Sequence, residues 1–278
     1  MARTGGNFDP CSCANTDQFR VVDFDVEWLV DFDKHILSGS VDLQIYAVSA
    51  GGNTLYLDVR DLDIKSINVN GNPTSFSYEA FENAAFGAKL LIAMPICSQG
   101  DFLSVLIRYD TSSHASALQW MPTEMTADKK QPYLFSQCQE IHARSILPCM
   151  DTPSVKQNFT AKVTVPCQMT ALMGALRQGS STISEDGLYR TFAFAQPVPI
   201  PTYLLALVVG VLEKRDISTR CAVWAEPSLI ERAAEKLADV EKVLYLAEDL
   251  LGAYVWGRYD TVTLPAWFPY RGMENPCL

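Results

Sequence analysis

The chain has 278 residues, of which 48% are hydrophobic and 19% are charged, a composition typical of globular proteins. This length predicts one large domain or two smaller ones. The net charge of −10, with no local stripe of basic residues, argues against a nucleic-acid partner because an acidic surface repels phosphates.

The sequence also argues against a membrane partner. The first ten residues contain no apolar run that could form the core of a signal peptide. Residues 203–212 are the longest apolar stretch, but a transmembrane helix needs about 20 residues, so we predict a buried strand here. The eight cysteines form no C-x-x-C pair and are expected to be reduced. We therefore expect a soluble, cytoplasmic protein.

From Phe19 to about Thr111 the pattern predicts short β-strands. Apolar residues alternate with polar ones, and Asn70-Gly71-Asn72-Pro73 predicts a tight turn. Short strands without a helical period between them indicate antiparallel sheets. The predicted strands lie near residues 19–28, 41–46, 55–59, 64–69, 90–94 and 102–107, followed by 161–165 and 188–194.

A helix is predicted over about residues 228–251. Pro227 suits a helix start, because the N–H that proline lacks would be unpaired there. Gly252 is a plausible C-terminal cap. No later element is available to cover the apolar stripe of this helix, so we expect the second domain to be unfinished. The stripe has the 3.6-residue period and consists of Ala233, Leu237, Val240, Leu244, Ala247 and Leu251.

No catalytic motif is present. A metallopeptidase helix carries H-E-x-x-H, but none of His35, His114 and His142 is followed by Glu or lies four residues from another. Cys138, His142 and Cys149 match no structural zinc spacing. There is also no G-x-S-x-G, P-loop or G-x-G-x-x-G motif. We predict no catalytic residue and no metal ligand in this chain.

Two segments, residues 133–153 and 267–276, stand out. The first resembles a Q-C-Q-A-I-H stretch followed by L-P-C-x-D-T-P-S-V-K, and the second resembles the G-x-M-E-N exopeptidase signature. Both motifs belong to the gluzincin zinc aminopeptidase family, in its leukotriene A(4) hydrolase and aminopeptidase B branch. The resemblance extends over nearly the whole chain, including residues 116–120, 197–210 and 253–260.

This resemblance implies a mainly β fold. Residues 1–210 would form an N-terminal all-β domain, saddle-like and built of antiparallel sheets, and residues 211–278 the incomplete start of an α/β thermolysin-like catalytic domain. The family's zinc ligands and general base lie downstream of G-x-M-E-N. Zinc is therefore expected in a full-length parent and no cofactor in this chain, which alone should be inactive.

The resemblance also implies substrate-binding residues. Glu274 corresponds to the glutamate that binds the free α-amino group of a peptide, and Gln139 to a residue that shares this role. A carboxylate selects a terminal ammonium through a charge-assisted hydrogen bond. Gly272 and Met273 correspond to a strand whose backbone aligns the peptide, and Tyr270 to a residue that lines the pocket.

Two positions depart from the family pattern. Arg271 stands where the motif begins with glycine, and it brings positive charge that would pair with Glu274 and oppose a substrate ammonium. Glu140 stands where the branch has alanine. It is grouped with the substrate-binding residues, because its carboxylate would either balance Arg271 or favour peptides with a basic N-terminal residue.

Three interpretations remain open at this point. The chain is the N-terminal part of an active zinc aminopeptidase that acts on peptide N-termini, with or without epoxide hydrolysis. Alternatively, it is a naturally truncated, non-catalytic relative that serves as a binding module. A generic β-rich adhesion or scaffold domain is the third, and it requires both motif matches to be coincidental.

Overall fold

The computed structural model describes residues 9–278, most of whose regular structure is β-strand. In chain order the strands are β1 (Phe19–Asp31), β2 (Ile36–Ala47), β3 (Thr54–Val59), β4 (Asp63–Val69), β5 (Asn72–Pro73), β6 (Phe76–Ala80), β7 (Ala88–Ala93), β8 (Phe102–Asp110), β9 (Leu118–Met121), β10 (Tyr133–Ser136), β11 (Gln157–Pro166), β12 (Thr170–Met173), β13 (Leu176–Arg177), β14 (Thr182–Ile183), β15 (Tyr189–Ile200), β16 (Leu207–Gly210), β17 (Glu213–Asp216), β18 (Cys221–Ala225) and β19 (Tyr259–Val262). The α-helices are α1 (Ile230–Lys236) and α2 (Val240–Leu251), and short 3-10 helices span Ala84–Phe86, Thr123–Met125, Ala143–Ser145 and Thr202–Leu204.

The chain divides into two compact units. Unit 1 contains residues 9–118, Gln137–Val163 and Pro199–Leu205, and unit 2 contains Gln119–Ser136, Thr164–Val198 and Ala206–Leu278. Each unit is assembled from separate stretches of sequence, so the chain passes between the units several times. The domain boundary near residue 210 that the sequence suggests stays a prediction.

Unit 1 is built from antiparallel strands, as predicted. One set has the order β11-β1-β2-β8-β4-β5, and a second has the order β3-β7-β6. The register of β1 against β2 shifts between Val21 and Asp23. This bulge explains the imperfect alternation in the sequence, because the buried positions are Phe19 and Val21 before it and Phe24 and Val26 after it.

Two glycines of unit 1 meet specific backbone demands. At Gly39, opposite Trp28, a Cβ atom would lie 1.8 Å from the carbonyl oxygen of Glu27, so no larger residue fits between β1 and β2. Asn70 and Gly71 have φ values of 50° and 80° and form the turn between β4 and β5. Both values are positive, which is why the Asn-Gly pair predicted this turn correctly.

The core of unit 1 contains aromatic contacts between distant strands. The Phe24 and Phe159 rings stack with centroids 5.2 Å apart, and Nε1 of Trp28 donates a 2.8 Å hydrogen bond to the Tyr109 hydroxyl. The hydrogen bond satisfies a polar group that would otherwise be buried without a partner.

Unit 2 combines antiparallel sheets with one parallel pair. One sheet has the order β12-β16-β10-β9, and β15 pairs with β13 and β14. A further sheet has the order β17-β18-β19, in which β18 and β19 run parallel. Parallel strands need a crossover connection, and α1 and α2 supply it. The prediction of a mainly β chain followed by an α-containing part is therefore confirmed.

Two details differ from the sequence-based prediction. The predicted single helix is two helices, interrupted at residues 237–239. Each has its own anchor, because α1 buries Ile230 and Ala233 against β18, while α2 is held by ion pairs to Arg220. Residues 203–212 form a strand only at Leu207–Gly210, since a 3-10 helix occupies Thr202–Leu204.

Among residues 9–278, none of the helices combines the length and apolar composition that crossing a bilayer requires.

Candidate functional site

The loop that carries Gln139 and Glu140 is exposed at its tip and buried at both ends. Gln137 and Cys138 are buried, Gln139 and Glu140 are exposed, and the chain is buried again in the 3-10 helix Ala143–Ser145. The backbone N–H of His142 donates to the carbonyl of Cys138 at 2.9 Å and closes the loop. The peptide bond between Gln139 and Glu140 is cis. Two polar side chains are thus presented to solvent from an anchored loop.

Arg144, on the C-terminal side of this loop, is completely buried and holds the loop in place. Its Nε donates to Oδ2 of Asp151 at 2.9 Å, and its Nη1 donates to the carbonyl of Phe86 at 2.8 Å. Its own carbonyl accepts a 2.8 Å hydrogen bond from the backbone N–H of Arg60. A buried guanidinium with these partners fixes the backbone on the C-terminal side of Gln139 and Glu140.

Asp58 and Asp151 complete the buried charge network. Nη2 of Arg144 lies 3.9 Å from Oδ2 of Asp58, which also accepts a 3.0 Å hydrogen bond from the backbone N–H of Asp151. Oδ1 of Asp151 accepts from the Thr202 hydroxyl at 2.8 Å. We call Asp58, Arg144 and Asp151 the buried triad. One arginine thus faces two carboxylates, and hydrogen bonds from neighbouring groups compensate part of the excess negative charge.

Burial opposes the charged forms of Asp151 and Arg144. It raises the pKa of Asp151, although the charge and hydrogen bond of Arg144 pull that pKa down. For Arg144, burial lowers the pKa, but the carboxylates of Asp58 and Asp151 raise it above its ordinary value. The arginine therefore stays charged, and removing it would leave two buried carboxylates without their counter-ion.

His142 has a structural role beside the exposed loop. Its Nδ1 lies 2.8 Å from the Ser116 hydroxyl. Burial, reinforced by the positive charge of Arg60, lowers the pKa of His142 below its ordinary value of 6.5. The imidazole is therefore neutral at pH 7.

The second candidate segment, residues 267–276, has no regular secondary structure. Gly272 and Met273 do not form the strand that the resemblance implies, and the nearest pairing is an isolated parallel bridge between Cys277 and Tyr259. Tyr270 and Glu274 are exposed. The end of the segment is anchored, because Cys277 is buried and its Sγ donates to the carbonyl of Trp256 at 3.3 Å.

Arg271 does not neutralise Glu274 in this structure. Both side chains are exposed, and the ion pairs within residues 9–278 include none between them. Oε1 of Glu274 lies 3.9 Å from the position that a Cβ atom would take at Gly272. The Glu274 carboxylate is thus open to solvent and available to a cation.

Comparison with known proteins identifies the family. The profile described as Peptidase M1 N-terminal domain matches residues 22–204, which is more than half of the chain. The chain belongs to the M1 peptidase family.

The M1 chain is also similar to individual relatives over almost its whole length. Leukotriene A-4 hydrolase of Xenopus laevis is 44% identical over 271 residues, which cover 97% of this chain and 44% of the relative. Leucine aminopeptidase 2 of Yarrowia lipolytica is 39% identical over 275 residues, covering 99% of this chain and 41% of the relative. The M1 chain therefore spans less than half the length of these relatives.

Solved structures support the same assignment. Native yeast LTA4 hydrolase has a TM-score of 0.89 to the M1 chain at 32% identity, covering 99% of this chain and 42% of that structure. An M1 zinc metallopeptidase of Deinococcus radiodurans has a TM-score of 0.72 at 24% identity and covers 89% of this chain and 57% of that one. At that identity, the second comparison supports the fold alone.

The predicted substrate-binding residues of the M1 chain fall into two groups. Gln139 and Glu140 belong to unit 1 and share one loop. Tyr270, Gly272, Met273 and Glu274 belong to unit 2 and share the irregular segment. Each group is brought together within its own unit, and a joint binding role of the two groups stays a proposal.

Sequence reasoning missed the buried triad that supports the first group. Arg144 and Asp151 lie inside the first matching segment, but charged residues are rarely fully buried, so their residue types gave no sign of complete burial. Asp58 precedes Asp151 by 93 positions, so no local spacing could reveal their contact. The only available signal was an acidic residue within the otherwise apolar predicted strand at 55–59.

The described residues of this M1 chain do not fit a zinc site. Within residues 9–278, no three His, Cys, Asp or Glu side chains are placed to hold a metal ion. Burial raises the pKa of the Cys149 thiol well above its ordinary value, whereas zinc binds the thiolate. Cys138, His142 and Cys149 therefore do not form a metal centre, and no chemical step through a metal is assigned to these residues.

Proposed function

We propose that this chain is the N-terminal part of an M1 zinc aminopeptidase and helps to bind the charged N-terminus of a peptide substrate. The observation that carries the proposal is its similarity, over 97% and 99% of its length, to a leukotriene A-4 hydrolase and a leucine aminopeptidase 2. Peptide hydrolysis, with or without the opening of a lipid epoxide, is the activity of the longer protein in this proposal.

Glu274 is proposed to bind the α-ammonium group of the peptide. Its carboxylate is exposed and has no ion-pair partner within the described residues 9–278, so a substrate ammonium can supply the missing positive charge. An internal peptide bond offers no charge at this position. The preference for a free N-terminus follows from that difference.

Gln139 is proposed to share recognition of the ammonium through its side-chain oxygen. Its position at an exposed loop tip supports this role, because the side chain reaches solvent while the residues before it are buried. Glu140 is proposed to favour peptides with a basic first residue. The buried triad supports both side chains by holding the loop in one conformation.

Tyr270 is proposed to pack against the first side chain of the substrate, and the backbone of Gly272 and Met273 to pair with the extended peptide. Residues 272–275 have no regular secondary structure, so a strand formed with the peptide would be new structure in this segment. In this proposal the segment becomes ordered as an edge when the peptide binds.

Zinc is proposed to act in the longer protein and to be held by residues that this chain does not contain. A bound zinc ion would activate a water molecule and polarise the scissile carbonyl. The present chain would contribute binding and orientation only, so it is expected to be inactive by itself. We further propose a cytoplasmic location, with peptide N-termini as partners and no nucleic-acid or membrane partner.

The decisive test measures aminopeptidase activity of the longer protein with an aminoacyl-p-nitroanilide substrate. Glu274→Gln should lower kcat/KM by about 100-fold, because the substrate ammonium loses its charged partner. Glu185→Gln, an exposed glutamate in a loop of unit 2, is the matched control and should leave kcat/KM unchanged.

Two results would overturn the proposal. One is equal activity of Glu274→Gln and Glu185→Gln. The other is a transcript that encodes no H-E-x-x-H motif after Leu278, which would instead support a non-catalytic binding module. A separate outcome concerns catalysis alone: tightly bound zinc with metal-dependent cleavage by the purified 278-residue chain would refute its assignment to the longer protein.

A further inference from the structure

Unit 2 contains a cavity with a volume of about 250 Å³. Part of its lining is apolar and buried, and comes from Leu172, Met173, Phe194 and Trp224. The remainder includes the charged side chains Arg177, Lys214, Arg258 and Asp260. Three side-chain cations against one side-chain carboxylate are unexpected in a chain with a net charge of −10.

The single side-chain carboxylate of this lining is already neutralised. Oδ1 of Asp260 accepts a 2.8 Å hydrogen bond from Nη2 of Arg258 and a 3.1 Å hydrogen bond from the backbone N–H of Ala222. Oδ2 of Asp260 accepts from Nε1 of Trp224 at 3.1 Å. Arg258 and Asp260 therefore form a fixed, nearly neutral pair, and Asp260 does not balance the remaining positive charge.

Lys214 also has a partner, but an exposed one. It forms an ion pair with Asp216, whose side chain is 66% exposed, and its Nζ lies 5.9 Å from the centre of the Trp224 ring. A pair this exposed contributes little and exchanges readily with other anions. Lys214 is thus held over the apolar lining with its charge weakly compensated.

Arg177 is the solvent-exposed cation of the cavity lining. Its guanidinium stacks 4.6 Å from the centre of the Phe192 ring, and within residues 9–278 it makes no ion pair or hydrogen bond. Burial, followed by repulsion from Arg190, lowers the pKa of Arg177 below its ordinary value. An anion bound at Arg177 would offset its positive charge and the repulsion from Arg190.

We propose that this cavity binds a small organic carboxylate with an apolar body. Arg177 takes the carboxylate by a bidentate pair, Lys214 adds a second positive charge, and the apolar body lies against Met173, Phe194 and Trp224. The small volume limits the ligand to a short chain or a single ring. This inference does not depend on the peptidase assignment.

Isothermal titration of the 278-residue chain with octanoate tests the inference. One octanoate should bind per chain, with an affinity that falls as salt screens the charges. Arg177→Gln should weaken binding by about 10-fold or more, because the carboxylate loses its bidentate partner. Arg177→Lys keeps the charge and should show a smaller loss.

The controls separate the charged from the apolar contribution. Arg232→Gln removes an exposed arginine of α1 that does not line the cavity, and it should bind octanoate like the wild type. Inorganic phosphate and octylamine should bind at least about 10-fold more weakly than octanoate, since one lacks the apolar body and the other the negative charge. Circular dichroism verifies that each variant is folded.

Three results would overturn the inference. The first is the absence of octanoate binding at millimolar concentration. The second is an equal effect of Arg177→Gln and Arg232→Gln in folded proteins. The third is phosphate binding as tight as octanoate binding, which would show that the apolar lining contributes nothing.

Discussion

The two segments that resemble aminopeptidase motifs are supported in different ways. The loop with Gln139 and Glu140 lies on the completely buried Arg144 and is closed by hydrogen bonds at both ends. The segment with Tyr270 and Glu274 is exposed and irregular, and is anchored only near Cys277. Within the proposed amine-binding group, the loop with Gln139 and Glu140 is therefore held in place before a substrate binds. The segment with Tyr270 and Glu274 can still change its conformation.

The largest effect is expected from removing the charge that supports the first loop. Arg144→Met should lower the free energy of unfolding by about 3–5 kcal/mol, because it leaves Asp58 and Asp151 buried without their counter-ion. Lys162→Met, which breaks the exposed pair with Glu27, is the control and should cost less than about 1 kcal/mol. Urea unfolding measures both, and equal losses would show that the buried triad has no special role.

Limited proteolysis compares the two segments directly. Trypsin should cut after the exposed Arg271 on the order of 100-fold faster than after the buried Arg144, because cleavage at Arg144 needs local unfolding. Mass spectrometry of early fragments identifies the site, and Arg271→Gln should abolish the first cut. First cleavage at Arg144 would reverse the comparison. A later resistant core that ends near residue 210 would support the predicted domain boundary.

A pH-dependent effect is expected in unit 2, where α2 is held by Arg220. A hydrogen bond from Arg220, with one from the Tyr254 N–H, lowers the pKa of Glu248 to about 2. Hydrogen bonds from Cys221, Ser218 and Arg220 lower the pKa of Glu241 to about 2. Because these folded pKa values lie below the ordinary value of 4.5, the stabilisation is present above that value and is lost as pH falls towards 2.

The measurement is the urea midpoint at about pH 5 and about pH 3. The midpoint should fall more in the wild type than in Arg220→Met, in which both glutamates have lost the hydrogen bonds from Arg220. The same fall in both proteins would mean that other carboxylates cause the pH dependence.

The smallest effect is expected on the exposed face of α2. Leu250 is 81% exposed, so Leu250→Glu should change the free energy of unfolding by less than about 0.5 kcal/mol. Leu244 in the same helix is buried, and Leu244→Ala should cost about 2–5 kcal/mol. A large cost at Leu250 would show that the apolar face of α2 is covered in the protein in solution.

Local patterns predicted much of the fold. Alternation predicted β1, although the bulge between Val21 and Asp23 required the partner strand to explain it. The Asn70-Gly71 turn was predicted because its positive φ values have a strong residue preference. The break between α1 and α2 was not predicted, since the apolar period continues through Leu237 and Val240 while the anchors of the two helices differ.

The sequence by itself determined the strand pattern of this chain, its family motifs and the absence of H-E-x-x-H, because each of these depends on neighbouring residues. Only the tertiary structure decided that Arg144 lies between Asp58 and Asp151, and that Arg177 stacks on Phe192 in the lining of the cavity. These contacts join residues far apart in the chain or on different strands. Their energies depend on burial and distance, which no local periodicity encodes.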